Sequence, residues 1–205
     1  MEGRNIKLLI AYDGTDFHGW QRQDGHILER TVQGVIEQAL EKMHKHPVHL
    51  TGSGRTDSGV HAAGQAANFY TDIGGIPCGS FTQALNSLLP HDVRILDSSE
   101  EKNEFHARFS ARARTYRYFF ICRPMLPHES RYNLRLNRFP RLEILNAYGR
   151  LLLGETDCSI FAGSGDTSKS KRRYVYRSQF YVEKDRLIFE ICANAFLRNM
   201  VRSAA

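Results

Sequence analysis

Residues 54–62 read Gly-Arg-Thr-Asp-Ser-Gly-Val-His-Ala and place Arg55 and Asp57 in a turn that glycines bracket on both sides. The residues on either side, 48–51 and 65–70, have the composition of β-strands, so the turn is predicted to join two strands. Glycine reaches positive φ without strain, and aspartate tolerates turns by hydrogen bonding to its own backbone. On composition alone, an ordinary Asx-turn is favoured over a functional carboxylate, because turn chemistry explains glycine and aspartate without any function. The rest of the chain must decide between them.

The composition is that of a folded protein with an affinity for anions. Hydrophobic residues make up 41% of the 205 residues and charged residues 24%, which argues against wholesale disorder and against a fibrous architecture. The formal net charge is +6 at pH 7. Such a balance favours an anionic partner but does not identify it.

Basic and aromatic residues alternate in the middle of the chain. Residues 108–123 carry arginines between aromatic rings, and residues 169–173 form a second basic cluster. The arginines of the first stretch are Arg108, Arg112, Arg114, Arg117 and Arg123. Guanidinium groups for phosphates beside rings for bases are what RNA binding requires. A half-buried strand with a solvated charged face explains the first stretch equally well.

Metal, redox and membrane functions have little support in the sequence. The cysteines, expected to be free and buried, are Cys78, Cys122, Cys158 and Cys192, and none forms a Cys-x-x-Cys pair. Three neighbouring histidines are predicted to be solvated loop residues rather than metal ligands: His44, His46 and His49. The absence of an apolar signal core and of a run of about 20 apolar residues predicts a cytoplasmic protein without a membrane span.

Hydrophobic spacing predicts strands and helices in two halves, residues 1–106 and 107–205. Strands are expected at residues 6–12, 48–51, 65–70 and 93–96, and then at 115–121, 174–183 and 187–192; helices are expected at 31–45, 81–89 and 142–153, with another beginning at residue 193. This order predicts two βαββ-type halves, each with a helix packed on an antiparallel sheet. Without a Gly/Pro/Ser-rich linker, we expect closely packed halves with a cleft between them.

The last predicted helix separates charge from apolar side chains. At about 100° per residue, its apolar residues share one face, and Arg198 and Arg202 lie together on the other. The apolar residues are Phe196, Leu197, Met200 and Val201. A carboxylate or a phosphate would offset the repulsion between the two arginines, and two solvated side chains are the alternative.

Several further motifs occur in order along the chain: Tyr12-Asp13-Gly14-Thr15, Gly19-Trp20-Gln21, Thr31-Val32-Gln33-Gly34, Phe105-His106-Ala107-Arg108-Phe109, Tyr116-Arg117-Tyr118 and Phe196-Leu197-Arg198-Asn199-Met200-Val201-Arg202. Together with the turn at 54–62, these motifs resemble the tRNA pseudouridine synthase A family over essentially the whole chain. The turn itself is similar to the signature of that family.

This resemblance implies an α+β fold of two RRM-like (ferredoxin-like) halves. The halves would form a continuous antiparallel sheet with helices on one side and a basic cleft between them. It also implies an isomerase that converts uridine to pseudouridine in the anticodon stem-loop of tRNA, acts as a homodimer, and needs neither a cofactor nor a metal. The target base must leave its stack before the reaction.

The resemblance also assigns roles to residues. Asp57 is implied as the catalytic aspartate, Arg202 as the cation that keeps it charged, Tyr116 as the ring that stacks on the uracil, and Arg55 as the group that helps to hold the base out. From the basic stretch, Arg108 and Arg114 are predicted to contact RNA as well.

Two features keep alternatives open. Residues 155–158 depart from the family pattern, and the chain stops at Ala205, so the second half is expected to be truncated relative to the family. A non-catalytic RNA-binding protein that has lost turnover with the missing segment is therefore the alternative function. A glycoside hydrolase would need a second acid about 5–10 Å from Asp57, for which only Asp13 and Asp16 remain open.

Overall fold

The computed structural model describes residues 3–22 and 29–205 and divides the chain into two compact units. The first unit is Met1–Ala111 and the second is Arg112–Ala205. Each unit combines helices with a β-sheet and has its own hydrophobic cluster, which confirms the predicted α+β class.

The first unit has the element order β-α-β-β-α-β. Its elements are β1 (Arg4–Tyr12), α1 (Val32–His44), β2 (Thr51–Gly52), β3 (Ala62–Thr71), α2 (Ser80–Asn86) and β4 (Val93–Glu101). The sheet order is β2-β3-β1-β4, and all its described neighbours are antiparallel. The turn at 54–62 therefore joins β2 to β3, as predicted.

Helix α1 confirms the helix predicted at residues 31–45. Thr31 caps its first turn by accepting a hydrogen bond from Gly34 N at 3.3 Å, and Lys45 ends it in the left-handed region with φ 63°. Its buried residues Val32, Ile36 and Leu40 join one hydrophobic cluster with the inward side chains of β1. Local capping and spacing are enough to specify such a helix.

Two buried asparagines attach the end of the first unit to its sheet. Asn5 donates from Nδ2 to the carbonyl oxygens of Lys102 (2.9 Å) and Phe105 (2.8 Å), and Asn68 donates to Asn5 Oδ1 at 2.9 Å. Ala107 N in turn donates to Asn68 Oδ1 at 2.9 Å. These bonds place residues up to 107 within the first unit, because buried amides must find partners.

The second unit contains a five-stranded sheet. Its elements are β5 (Arg114–Ile121), β6 (Leu134–Arg135), α3 (Leu142–Arg150), β7 (Gly154–Asp157), β8 (Arg172–Glu183), β9 (Arg186–Ala193) and α4 (Met200–Ala204), with 3-10 helices at Pro127–Glu129 and Ser159–Phe161. The order is β6-β5-β9-β8-β7.

Two details of the predicted sheet are corrected. Strand β6 runs parallel to β5, so the second sheet is mixed rather than wholly antiparallel. The described strands pair into two separate sheets, of four and five strands, rather than into one continuous sheet.

The helix predicted from residue 193 begins later. Strand β9 continues through Ala193, which pairs with Arg114 on one side and Val175 on the other, and α4 starts only at Met200. Arg198 and Arg202 therefore do not share a helix. The apolar part of the prediction is confirmed, because Leu197 and Met200 are buried in the second hydrophobic cluster and Phe196 and Val201 pack against it.

Two predictions about single side chains are corrected. His44 is buried rather than solvated: its Nδ1 lies 2.8 Å from Leu40 O and its Nε2 lies 2.8 Å from Thr71 Oγ1. The four cysteines are free, but only Cys158 among them is fully buried. No helix within the described ranges is both long and apolar enough to cross a bilayer.

Candidate functional site

Asp57 projects from a tight turn between β2 and β3. Val60 N donates to the Asp57 carbonyl oxygen at 3.2 Å, and Gly59 takes φ 77° at the end of the turn. The side chains of Asp57 and Arg55 are both exposed. The turn thus presents a carboxylate and a guanidinium two residues apart to solvent.

The segment that follows β1, residues 13–20, is hydrogen-bonded to this turn, and we call it the clamp. Trp20 N donates to Thr56 O at 3.1 Å, and Phe17 O accepts from Ser58 Oγ at 3.2 Å and from Gly59 N at 3.3 Å. The rings of Phe17 and Trp20 are each only 2% exposed. The turn therefore rests on a backbone that two buried aromatic side chains anchor in the core.

Two glycines let the clamp approach closely. A Cβ on Gly14 would lie 2.1 Å from Val60 O, and a Cβ on Gly19 would lie 2.6 Å from Thr56 O. Gly19 also takes φ 86°. A side chain at either position would collide with the backbone of the turn itself, so glycine is required by contact and, at Gly19, also by conformation.

A side-chain network fixes the other end of the turn. Gln65 Nε2 donates to Gly54 O at 3.1 Å, and Tyr12 OH donates to Gln65 Oε1 at 3.0 Å. Since the phenol has a single proton, its 2.8 Å contact with Thr56 Oγ1 has the threonine as donor. The residues before Asp57 are thus held by groups from β1 and β3.

His61 links the end of the turn to the clamp. Its Nδ1 lies 3.1 Å from Gly14 N and 3.0 Å from Asp13 Oδ1. Asp13 Oδ1 also accepts from Thr15 N at 3.0 Å and from Thr15 Oγ1 at 2.6 Å. With these partners, His61 and Asp13 act as structural supports of the turn.

Arg30 stabilises the clamp through contacts with Phe17 and His18. Arg30 forms a two-point ion pair with Asp92, with N to O distances of 2.8 and 3.0 Å, and its guanidinium lies 4.0 Å from the Phe17 ring centroid. Hydrogen bonds from Arg30 lower the pKa of Asp92 below its ordinary value. His18 N donates to Arg30 O at 2.9 Å, so Arg30 also holds the clamp backbone.

Tyr116 lies on β5 in the second unit, against the segment that leads to α4. Its ring meets Phe196 edge-on, with centroids 4.9 Å apart and planes at 81°. Both rings pack on the cluster formed by buried residues such as Ile191 and Leu197. Tyr116 is half-buried, and its ring is held by packing against Phe196.

Arg202 lies on α4 and is exposed. The turn before α4 is held by Asp166, whose Oδ2 accepts from Arg198 N at 2.7 Å and whose Oδ1 pairs with Lys171 Nζ. Hydrogen bonds from Lys171 and from backbone N–H groups hold the pKa of Asp166 well below its ordinary value. This carboxylate fixes the start of the helix that carries Arg202.

The remaining predicted RNA contacts lie in different settings. Arg108 is exposed at the end of the first unit, with its guanidinium 5.7 Å from the Phe109 ring. Arg114 lies at the start of β5 and donates from Nη1 to Asn194 O at 2.8 Å. Asp57, Arg55 and Arg108 thus belong to the first unit.

Tyr116, Arg114 and Arg202 belong to the second unit. The pairing of Asp57 with Arg202 stays a prediction.

Sequence reasoning missed the clamp. It identified Tyr12, Gly14 and Trp20 as landmarks of the family resemblance but predicted no role for them. The available signal was the pair of glycines and the two aromatic residues between β1 and α1. In the described ranges, no group of three or more His, Cys, Asp or Glu residues could hold a metal ion.

Comparisons with known proteins agree on one family. A family model described as tRNA pseudouridine synthase matches residues 8–110 and 149–205. A protein named tRNA pseudouridine synthase A from Treponema denticola is 52% identical over 98% of this chain and 76% of its own length. Proteins of the same name from Treponema pallidum and Caldicellulosiruptor saccharolyticus are 50% and 42% identical over 98% of this chain, and the matches cover 72% and 82% of their lengths.

Proposed function

The chain belongs to the tRNA pseudouridine synthase family, and we propose that it isomerises uridine to pseudouridine in the anticodon stem-loop of tRNA. The observation that carries the proposal is the turn at 54–62. Its motif presents an exposed Asp57 on a turn whose backbone is hydrogen-bonded to Trp20 and Phe17 and whose Thr56 side chain is hydrogen-bonded to Tyr12. Catalytic groups need this kind of fixed placement.

The reaction exchanges one bond for another within a nucleotide. The bond between N1 of uracil and C1′ of the ribose breaks, the base turns, and C5 bonds to C1′. The hydrogen on C5 leaves as a proton, and a proton returns to N1, so atoms and charge balance without an external reagent. Asp57 would act at the sugar or the base as an ionised carboxylate, with Arg202 as its cation.

The same proposal includes a binding position for the target uracil after it has left its stack. Leaving the stack costs a few kcal/mol, and a ring that stacks on the extruded uracil offsets part of that cost. Tyr116 suits this role because its ring is fixed by Phe196 and only partly covered. Arg55, two residues before Asp57, would occupy the vacated position.

We also propose RRM-like halves with a basic cleft between them, and a homodimer as the assembly. The first unit supports the RRM-like description by its order β-α-β-β-α-β and its sheet order β2-β3-β1-β4. The homodimer rests on the resemblance, and light scattering measures it.

Release of tritium from tRNA that carries uridine labelled at C5 tests the function. We expect turnover by the wild type and none by Asp57→Ala, while tRNA affinity stays within about twofold, since binding depends mainly on phosphate contacts. Asp97→Ala removes another exposed carboxylate of the first unit and is expected to keep full activity. Appreciable tritium release by Asp57→Ala would contradict the assignment of the catalytic group.

A further inference from the structure

The second sheet carries two arginines on one buried glutamate. Glu190 of β9 pairs directly with Arg117 of β5 in the strand register, and Arg177 lies on β8, on the other side of β9. Arg117 Nε donates to Glu190 Oε2 at 2.7 Å, and Arg177 Nη1 donates to Glu190 Oε1 at 2.7 Å. We call Arg117 and Arg177 the arginine pair.

The stoichiometry leaves the cluster positively charged. Two guanidiniums share one carboxylate, so the group carries a net charge of +1. Glu190 is 2% exposed, whereas the arginines are 54% and 58% exposed. Hydrogen bonds from Arg177 and Arg117 lower the pKa of Glu190 below its ordinary value. The carboxylate is therefore ionised at neutral pH, and its one negative charge offsets only one of the two positive charges.

The geometry also leaves donors for a ligand. Within the described residues, each guanidinium donates to Glu190 through one nitrogen only. A guanidinium has five N–H groups, so most of the donors of the arginine pair face solvent. Their positions are fixed by Glu190, which reduces the entropy lost when they bind a second anion.

Another arginine in the same unit shows the opposite arrangement. Arg123 donates to both oxygens of Glu129 and to Asp185, so one guanidinium serves two carboxylates and that cluster carries a net charge of −1. The sequence grouped Arg117 and Arg123 in one basic stretch. The structure separates them: only the first retains positive charge for an anion.

A depression beside Arg177 extends this surface. It has a volume of about 380 Å³ at the edge of β8, and Arg150 and the ring of Tyr176 line it with Arg177. Strand β7 pairs with β8 only as far as Val175, and farther along this edge Asn146 of α3 hydrogen-bonds the backbone of Phe180. Cations beside an exposed ring favour a single-stranded or looped nucleic acid over an isolated inorganic anion.

We propose that the arginine pair is a phosphate-binding site for the backbone of the tRNA substrate, at a distance from the reacting base. This inference rests on the proposed function for the identity of the RNA. Alternation along β5 directs Arg117 to the opposite face of the sheet from Tyr116. The site therefore contributes affinity and not chemistry.

Salt dependence of tRNA binding by the full chain tests the site. Unmodified tRNA is titrated by fluorescence anisotropy over a series of KCl concentrations, and the slope of log K against log [KCl] is measured. We expect Arg117→Gln and Arg177→Gln each to reduce the slope by about one, with about fivefold weaker binding near 0.1 M salt. Arg177→Lys keeps the charge and is expected to keep most of the slope.

Arg123→Gln is the matched control, because it removes the same formal charge from the same unit. We expect its slope to equal that of the wild type. Each single variant leaves Glu190 one cation, and thermal melting confirms that the variants fold. An unchanged slope in Arg177→Gln, or an equal loss in Arg123→Gln, overturns the proposal. So does a change in oligomeric state with an unchanged slope, which would assign the surface to a second copy.

Turnover separates this inference from the proposed function. At saturating tRNA, we expect Arg177→Gln to release tritium with the wild-type kcat and a raised KM. A wild type that releases no tritium while the slopes still differ would refute the proposed function and leave the phosphate site standing. A fall in kcat with an unchanged KM in Arg177→Gln would contradict the proposal that this site binds the tRNA backbone away from the reacting base.

Discussion

At the scale of single residues, Gly14 shows how closely the turn and its clamp are fitted. The hypothetical Cβ would lie 2.1 Å from the carbonyl oxygen and 2.6 Å from the carbonyl carbon of Val60. Both atoms are backbone, so no side-chain rotation relieves the collision. The backbone at Val60 must move instead, and Asp57 is bonded to it through Val60 N.

We expect Gly14→Ala to lower kcat for tritium release by about 100-fold, because a displacement of about 1 Å at a catalytic group has that effect. Overpacking of this kind also costs about 1–3 kcal/mol of stability, which melting would detect. Gly74→Ala is the control, since a Cβ there meets nothing within 4 Å. A Gly14→Ala protein with wild-type kcat would show that the contact does not position Asp57.

Among the elements, those with local signals were predictable from sequence. Helix α1 has its cap at Thr31 and its apolar spacing within one stretch, and both features survive in the structure. The segment after Ala193 has the same apolar spacing but is not helical until Met200. Strand pairing with Arg114 and Val175 and the bond from Arg198 N to Asp166 decide its conformation, and these partners are distant in sequence.

The candidate site likewise has one part that a local motif predicts and another part that depends on residues distant in sequence. The motif at 54–62 identified Asp57, and its turn lies between two strands as the sequence predicts. The support from Phe17, Trp20 and Tyr12 depends on hydrogen bonds between residues about 40 positions apart, which spacing alone does not reveal. The distinction between Arg117 and Arg123 likewise depends on carboxylates from other elements.

A 3-10 helix in the second unit gives a prediction about pH. Glu129 of this element accepts from Arg123 Nη2 at 2.7 Å and from Leu126 N at 2.8 Å. Hydrogen bonds from Arg123 and Leu126 lower the pKa of Glu129 from 4.5 to about 2. A carboxylate with a depressed pKa in the folded state stabilises the protein above its unfolded pKa, and this contribution is lost as pH falls toward the folded value.

We therefore expect Glu129→Gln to lower the melting temperature at pH 7, with a difference from wild type that shrinks between about pH 4.5 and pH 2. Melting curves across that range measure the difference. Glu143→Gln, at a glutamate of the second unit that is exposed whereas Glu129 is half-buried, should show little change at any pH. A difference between wild type and Glu129→Gln that is independent of pH would mean that the ion pair contributes nothing and that the substitution acts by packing.

For the whole molecule, the two hydrophobic clusters set the units of stability. One cluster lies within residues 6–95 and the other within residues 116–204, and they share no residue. Units with separate cores can unfold with separate free energies. The chain has a single tryptophan, Trp20, which is 2% exposed in the first cluster. Tryptophan fluorescence therefore reports on the first unit, whereas far-UV circular dichroism reports on both.

We expect Phe189→Ala, in the second cluster, to lower the unfolding midpoint seen by circular dichroism and to leave the fluorescence midpoint of Trp20 unchanged. Truncating a buried phenylalanine costs about 3–5 kcal/mol, and each kcal/mol moves the midpoint of a domain of this size by about 4–8 °C, so the shift should exceed 10 °C. Phe69→Ala, in the first cluster, should move the fluorescence midpoint instead. Equal shifts of both probes in both variants would show one cooperative unit, because the loss of either core would then be felt equally at Trp20.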